Sequence, residues 1–142
     1  MTAPFAPGIS HLRRRLRGLP HSTLLRTLQQ SLEELPVSAL AADNTGRYVA
    51  VNAAALALTG YARDELLKMS VQDLTPEMRQ DAAGLLWNRF IQAGTQAGDY
   101  VLVRKDGSPV PVHYAAYASV APGVHVSLLT PTELPSGLSS AI

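Results

Sequence analysis

Chemistry in this chain would have to start from few groups. Histidines 11, 21, 113 and 125 are its only side chains that ordinarily titrate near neutrality. It has no cysteine, which excludes disulfides, thiolate nucleophiles, zinc–cysteine sites and cysteine-linked chromophores together. A nucleophile needs a base within hydrogen-bond reach. Serine, histidine and acidic residues are present, but no Gly-x-Ser-x-Gly, His-Glu-x-x-His or phosphate-loop pattern frames them. The adjacent acids Asp64 and Glu65 read as helix-start residues that favour the helix dipole, not as an acid–base pair. These residues point away from an enzyme. Among the larger side chains the single tryptophan, Trp87, and nearby Phe90 stand out as candidates to line or fill a cavity.

The elements that must position these groups are legible from periodicity. Of 142 residues, only 16% are charged, below the usual quarter or so, which implies a surface that is neutral or shared with a partner. The net charge of +1 is divided unevenly. Residues 1–30 hold five arginines and no acid, whereas residues 31–142 hold seven basic and eleven acidic residues. Residues 1–21, with HLRRRLR at 11–17, read as a basic and largely flexible arm. Over 22–35, Leu24, Leu28, Leu32 and Leu35 form one apolar stripe on a helix capped by Ser22 or Thr23 and ended by Pro36. Strands are expected over 37–42 and 47–51, joined by the turn Asp43-Asn44-Thr45-Gly46. Asn52 then caps a short helix that ends at Gly60, and another short helix covers 62–69. Thr75-Pro76-Glu77 signals the start of a long helix carrying Met78, Leu85, Leu86, Trp87, Phe90 and Ile91. Strands follow over 99–104, 110–120 and 124–130, with turns at 105–108 and at Pro122-Gly123. The order predicts an α+β domain: an antiparallel sheet with helices on one face, behind one flanking helix. The longest nearly apolar run, Val49 to Leu58, is interrupted by Asn52 and is far short of the ~20 residues of a membrane span. With no secretory pattern either, a cytoplasmic protein is expected.

Between about Leu35 and Thr130 the residues resemble PAS domains. The stretches that carry the resemblance are LPVSALAADNTGRYVAVNAAALALTGYARDEL (35–66) and GDYVLVRKDGSPVPV (98–112). Asp43 and Gly46 fall where the family turns between its first strands, and Asn52 where its first helix starts. Gly60, Tyr61, Glu65 and Leu66 continue the match, and Arg104 to Gly107 match its Arg-Lys-Asp-Gly hairpin. The resemblance implies a PAS domain over 36–130: a five-stranded antiparallel sheet, order 2-1-5-4-3, cupping short helices around a small cavity. It further implies a sensory or dimerisation module rather than an enzyme. Where many members of the family run into a C-terminal signalling helix, Thr130-Pro131-Thr132 leads into a weak tail over 131–142, so output through a C-terminal coiled coil is not expected.

Strand alternation, oriented by this resemblance, assigns faces. Tyr100, Leu102, Tyr114, Ala116, Val126 and Leu128 are expected to line the cavity with Trp87 and Phe90. Val101, Val103, Tyr117 and Leu129 are expected on the outer face, beneath the stripe Leu24, Leu28, Leu32 and Leu35, which either folds back on its own sheet or reaches across to a second copy. A homodimer built on this helix and the outer face is therefore expected. The cavity either holds a small apolar ligand or is filled by Trp87, Phe90 and their neighbours, leaving a ligand-free dimerisation or adaptor module in signalling or transcription regulation. Most simply there is no cofactor. Haem is disfavoured because the long helix lacks the histidine that haem-binding PAS domains commonly use. Covalent flavin chemistry needs the missing cysteine, while non-covalent flavin stays open because some flavin-binding PAS domains carry a tryptophan where Trp87 stands. His113 and His125 are placed on the outer face about six residues out of register, roughly 20 Å apart at ~3.3 Å per residue, so no shared metal is expected. The arginines at 13, 14, 15 and 17 lack interleaved aromatics and a nucleic-acid-reading fold, so nucleic acid is not expected as a partner and a signalling protein is the more natural one.

Overall fold

The computed structural model describes residues 6–74 and 80–132. Five strands form one antiparallel sheet: β1 (Ser38–Ala42), β2 (Tyr48–Val51), β3 (Thr95–Val103), β4 (Pro109–Ala121) and β5 (Val124–Pro131), in the order β2-β1-β5-β4-β3. Two helices, α1 (Ala6–Leu16) and α2 (His21–Glu33), cover one face. The other, inner face carries α3 (Ala53–Thr59), α4 (Arg63–Leu66), a 3-10 turn (Val71–Leu74) and α5 (Gln80–Ala93). The expected helix start at Thr75-Pro76-Glu77, with Met78, and the tail beyond Thr132 lie outside the described residues.

Local chemistry explains the joints. The Asp43 carboxylate accepts from the Thr45 and Arg47 amides at 2.9 and 3.1 Å and from the Thr45 hydroxyl at 2.6 Å, closing the β1–β2 turn. Gly46, at φ 86°, completes that turn and lies against the Trp87 ring. Asn52 is fully buried and uses its whole amide. Its Oδ1 accepts from Ala39 N and Ala55 N, and its Nδ2 donates to Leu32 O and Val37 O, all within 2.8–3.0 Å. One side chain thus caps α3 and ties it to α2 and β1. Gln29 of α2 pairs with the β2 edge as a strand would, donating to Val51 O at 2.6 Å and accepting from Val51 N at 3.1 Å. This blunts an otherwise open sheet edge.

Three expectations need correction. The segment read as a flexible arm is helical over 6–16 and packed: Ile9, Leu12 and Leu16 are buried on the outer face of the sheet. Their spacing of three and four makes an apolar stripe, which the arginines between them obscured in the sequence. Pro20, not Ser22 or Thr23, occupies the N-cap of α2, and no side chain caps it. Finally, the phase of β5 is reversed. Ala115 opposes Leu128, and Tyr114 opposes Leu129. Opposed residues share a face, so Val124, Val126 and Leu128 lie in the outer core with α1 and α2, whereas Leu129 lies in the inner core. His125, between the two valines, faces inward. Both faces of this sheet are covered, so both sets of β5 residues are apolar enough to be buried. Alternation then tells which residues share a face but not which face it is.

Candidate functional site

The inward turn of His125 builds the most chemically distinctive constellation among the described residues. Between the pairs Tyr117–Val126 and Ala121–Val124, three residues of β4 (Ala118, Ser119, Val120) stand against His125 alone. The resulting bulge places Ser119 at φ 54°, the single non-glycine residue with positive φ among those described. The imidazole replaces the missing ladder partner: Nδ1 accepts from the Ser119 backbone N–H at 2.9 Å. The proton therefore sits on Nε2, which donates to Asn44 Oδ1 at 2.7 Å. Burial pushes the imidazole pKa below its usual value, with Asp43 pulling weakly the other way. His125 is thus a neutral ring of defined tautomer, 3% exposed.

Two aromatic rings from α5 pack edge-on against it, with Trp87 at 5.6 Å and Phe90 at 6.0 Å between centroids, and the two rings are themselves 5.6 Å apart. The Trp87 indole N–H donates to Asn44 O at 3.2 Å, which fastens α5 to the β1–β2 turn. Beside this cluster opens a cleft of about 340 Å³ between that turn, the 3-10 turn and α5. It is lined by Trp87 and Val71 and by polar groups that include Asn44, Ser70 and Asn88.

The expected cavity residues are only partly brought together. Phe90 and Ala116 share a buried cluster with Ala118, and Trp87 and Tyr114 adjoin it. Tyr114 and Tyr100 meet edge-on at 6.1 Å. Leu102 lies in the neighbouring inner cluster with Leu40, Val112 and Leu129. Val126 and Leu128 are on the opposite side of the sheet. Of the residues assigned to the outer face, Leu24, Leu28, Leu32 and Tyr117 are buried together, with Leu35 at their margin. The stripe therefore folds back on its own sheet. Leu129 is on the inner face instead. Val101 and Val103 stay half-buried and outside the core that α1 and α2 cover. His125 and Asn44 were missed. The available signal was a histidine flanked by valines close to a Pro-Gly turn, which the reversed phase sent to the wrong side.

The site's donor set also tests the cofactors that the fold brings to mind. Both His125 nitrogens are already bonded, so the ring is not free as an axial ligand to haem. His113 is on the outer face, beside Asp99 at 3.3 Å. Among the described residues no group of three or more His, Cys, Asp or Glu side chains is arranged to hold a metal. The inner face presents Leu40, Leu102, Val112 and Leu129. The buried side-chain polar atoms without a partner among the described residues are Arg63 Nε and the Tyr117 hydroxyl, and Tyr117 belongs to the outer core. Neither atom is part of the cluster of Phe90, Ala116 and Ala118. Among the described residues, no helix is long and apolar enough to cross a membrane.

Comparison with known proteins agrees with this architecture. No curated protein matches the sequence. Among solved structures, a PAS domain from a two-component sensor histidine kinase is 15% identical, covering 80% of this chain and 100% of its own, with a TM-score of 0.63. A domain of a sensory box sensor histidine kinase/response regulator from Geobacter sulfurreducens is 20% identical, covering 79% and 98%, also with a TM-score of 0.63. The LOV protein of Rhodobacter sphaeroides is 13% identical, covering 86% and 74%, with a TM-score of 0.68. At these identities the likeness is one of fold. A family model described as a PAS domain matches residues 36–128, about two thirds of the chain, and the sheet order and helix placement agree with it. The chain belongs to the PAS domain family.

Proposed function

We propose that this protein is a non-enzymatic cytoplasmic sensory module that takes up a small ligand beside Trp87 and passes the change to a signalling partner. The observation that supports this reading is the cluster of Trp87, Phe90 and His125 beside the 340 Å³ cleft. The ligand would lay an apolar body on the indole and turn a polar edge to Asn44 and Asn88, the usual division of labour in a small-molecule site. Native mass spectrometry of the purified protein tests it. The expected spectrum contains the chain plus a small molecule that Trp87→Ala loses. A bare chain mass, with no change in Trp87 emission on screening small aromatic compounds, would favour the alternative, a ligand-free adaptor in signalling or transcription regulation.

A homodimer is the second part of the reading, and one observation shifts its location. The leucine stripe of α2 is occupied on its own sheet. Val101 and Val103, half-buried and opposite Pro111 and Pro109, are the apolar outer-face residues left for a second copy. Sedimentation velocity tests this: a dimer at micromolar concentration that Val101→Lys converts to monomer is expected. A monomer at high micromolar concentration would remove the dimer from the account.

A further inference from the structure

Three polar groups of the β4 bulge are each claimed by a different element. Ala118 N donates to Gly94 O at 2.8 Å, at the joint between α5 and β3. Ala118 O accepts from the Arg13 guanidinium of α1 at 3.1 Å. Ser119 N donates to His125. The bond to Gly94 continues the β3–β4 register one pair beyond Thr95–Tyr117, Arg13 reaches in from outside the sheet, and Ser119 is held at a positive φ that a serine rarely adopts. A residue in that conformation persists only while its surroundings over-determine it. The Trp87–Phe90–His125 cluster is on the inner face, and Arg13, with Ile9, Leu12 and Leu16, belongs to the outer layer. The Ala118–Ser119 peptide group is where hydrogen bonds from the two layers meet: its carbonyl accepts from Arg13 and its N–H donates to His125.

We infer that the Ala118–Ser119 bulge is a two-state coupler through the sheet, linking the His125 cluster to the docking of α1. When Nδ1 of His125 releases the Ser119 amide, Ser119 is freed from its left-handed conformation. The Ala118 carbonyl then turns away from Arg13, and α1 loosens from the sheet. This inference uses the proposed ligand site only to say where a signal would enter. The coupling is a property of the ligand-free chain and is measured there.

Hydrogen exchange of the α1 amides over residues 8–16, in the full chain without ligand, is the test. Arg13→Met keeps the aliphatic stem and removes the donor, and His125→Phe keeps a ring and removes the acceptor. Each is expected to accelerate α1 exchange at least fivefold while leaving α2 unchanged. The double variant is expected to exchange no faster than the quicker single variant, because both break one linkage. Rates that multiply in the double variant, or α1 exchange that His125→Phe leaves untouched, would overturn the coupler. Should His125→Phe not fold, reciprocity decides the matter from the other end. The chain has one tryptophan, so Arg13→Met must shift Trp87 emission from across the sheet, and an unchanged spectrum would refute the coupling. A protein that fails to retain any ligand but passes these tests would lose the sensor reading and keep the coupler.

Discussion

Helices α1 and α2 cover the same sheet face by different means. The α2 helix buries Leu24, Leu28 and Leu32 and is also pinned by polar groups: Asn52 holds the Leu32 carbonyl, Gln29 pairs with Val51, and Glu33 accepts from Ala53 N at 2.6 Å and pairs with Arg63. The α1 helix buries Ile9, Leu12 and Leu16, but among the described residues it has two side-chain hydrogen bonds to the rest of the chain. One of them, Arg15 to Glu34, is a surface ion pair of the kind that contributes little, about 0–1 kcal/mol. Beneath this layer the Tyr117 hydroxyl is buried without a partner among the described residues, at a cost on the order of 1–3 kcal/mol. The difference teaches that α2 is part of the domain's frame, whereas α1 is docked closely enough to be ordered and loosely enough to be released.

Four experiments would break or sharpen that contrast. The largest effect is expected from Asn52→Ala, which uncaps α3 and removes the side-chain partner of the buried Ala39 amide and of the Val37 and Leu32 carbonyls, of which Leu32 keeps the Leu35 N–H. A loss of about 3 kcal/mol or more in chemical denaturation is expected. Next, Leu28→Ala in α2 should lower global stability by about 3 kcal/mol. Leu12→Ala in α1 should lower it less than half as much, because α1 can open locally without unfolding the sheet. Equal losses would put the two helices in one cooperative unit. The third concerns acidity. Burial lowers the His125 pKa in the folded state, so the folded protein binds fewer protons than the unfolded chain below about pH 6.5. The stability associated with the neutral ring is full above that pH and falls as pH drops through it toward the folded value. Thermal melts at stepped pH should show this decline, and His125→Phe should flatten that part of the profile. The smallest effect is Tyr117→Phe, which removes the unpaired hydroxyl and should raise stability by up to about 1 kcal/mol. A clear loss would mean the hydroxyl has a partner.

The sequence made much of this frame readable because local chemistry and tertiary structure agree there. Asn52 caps α3 and Gly60 ends it, at φ 80°, as residue type and spacing imply. The sheet order followed from a resemblance spread over two segments, not from any single motif. What stayed hidden depended on information that periodicity lacks. A sheet covered on both sides gives no polar face to set the phase of β5. Without that phase, His125 went to the outer side and Val126 and Leu128 to the inner one. The bulge at 118–120 was equally silent, since Ala, Ser and Val are ordinary strand residues and its cause is the histidine across from it. The α1 stripe was masked by the arginines interleaved with Ile9, Leu12 and Leu16, one of which, Arg13, reaches back to the sheet at Ala118.

The central claim is that one outer helix is fixed and the other releasable, and native-state hydrogen exchange on the wild-type chain tests it directly. The account predicts that amides of α2 exchange only with global unfolding, while those of α1 exchange at least tenfold faster through an opening that leaves the sheet protected. Identical protection in the two helices, tracking global stability as denaturant is added, would contradict it.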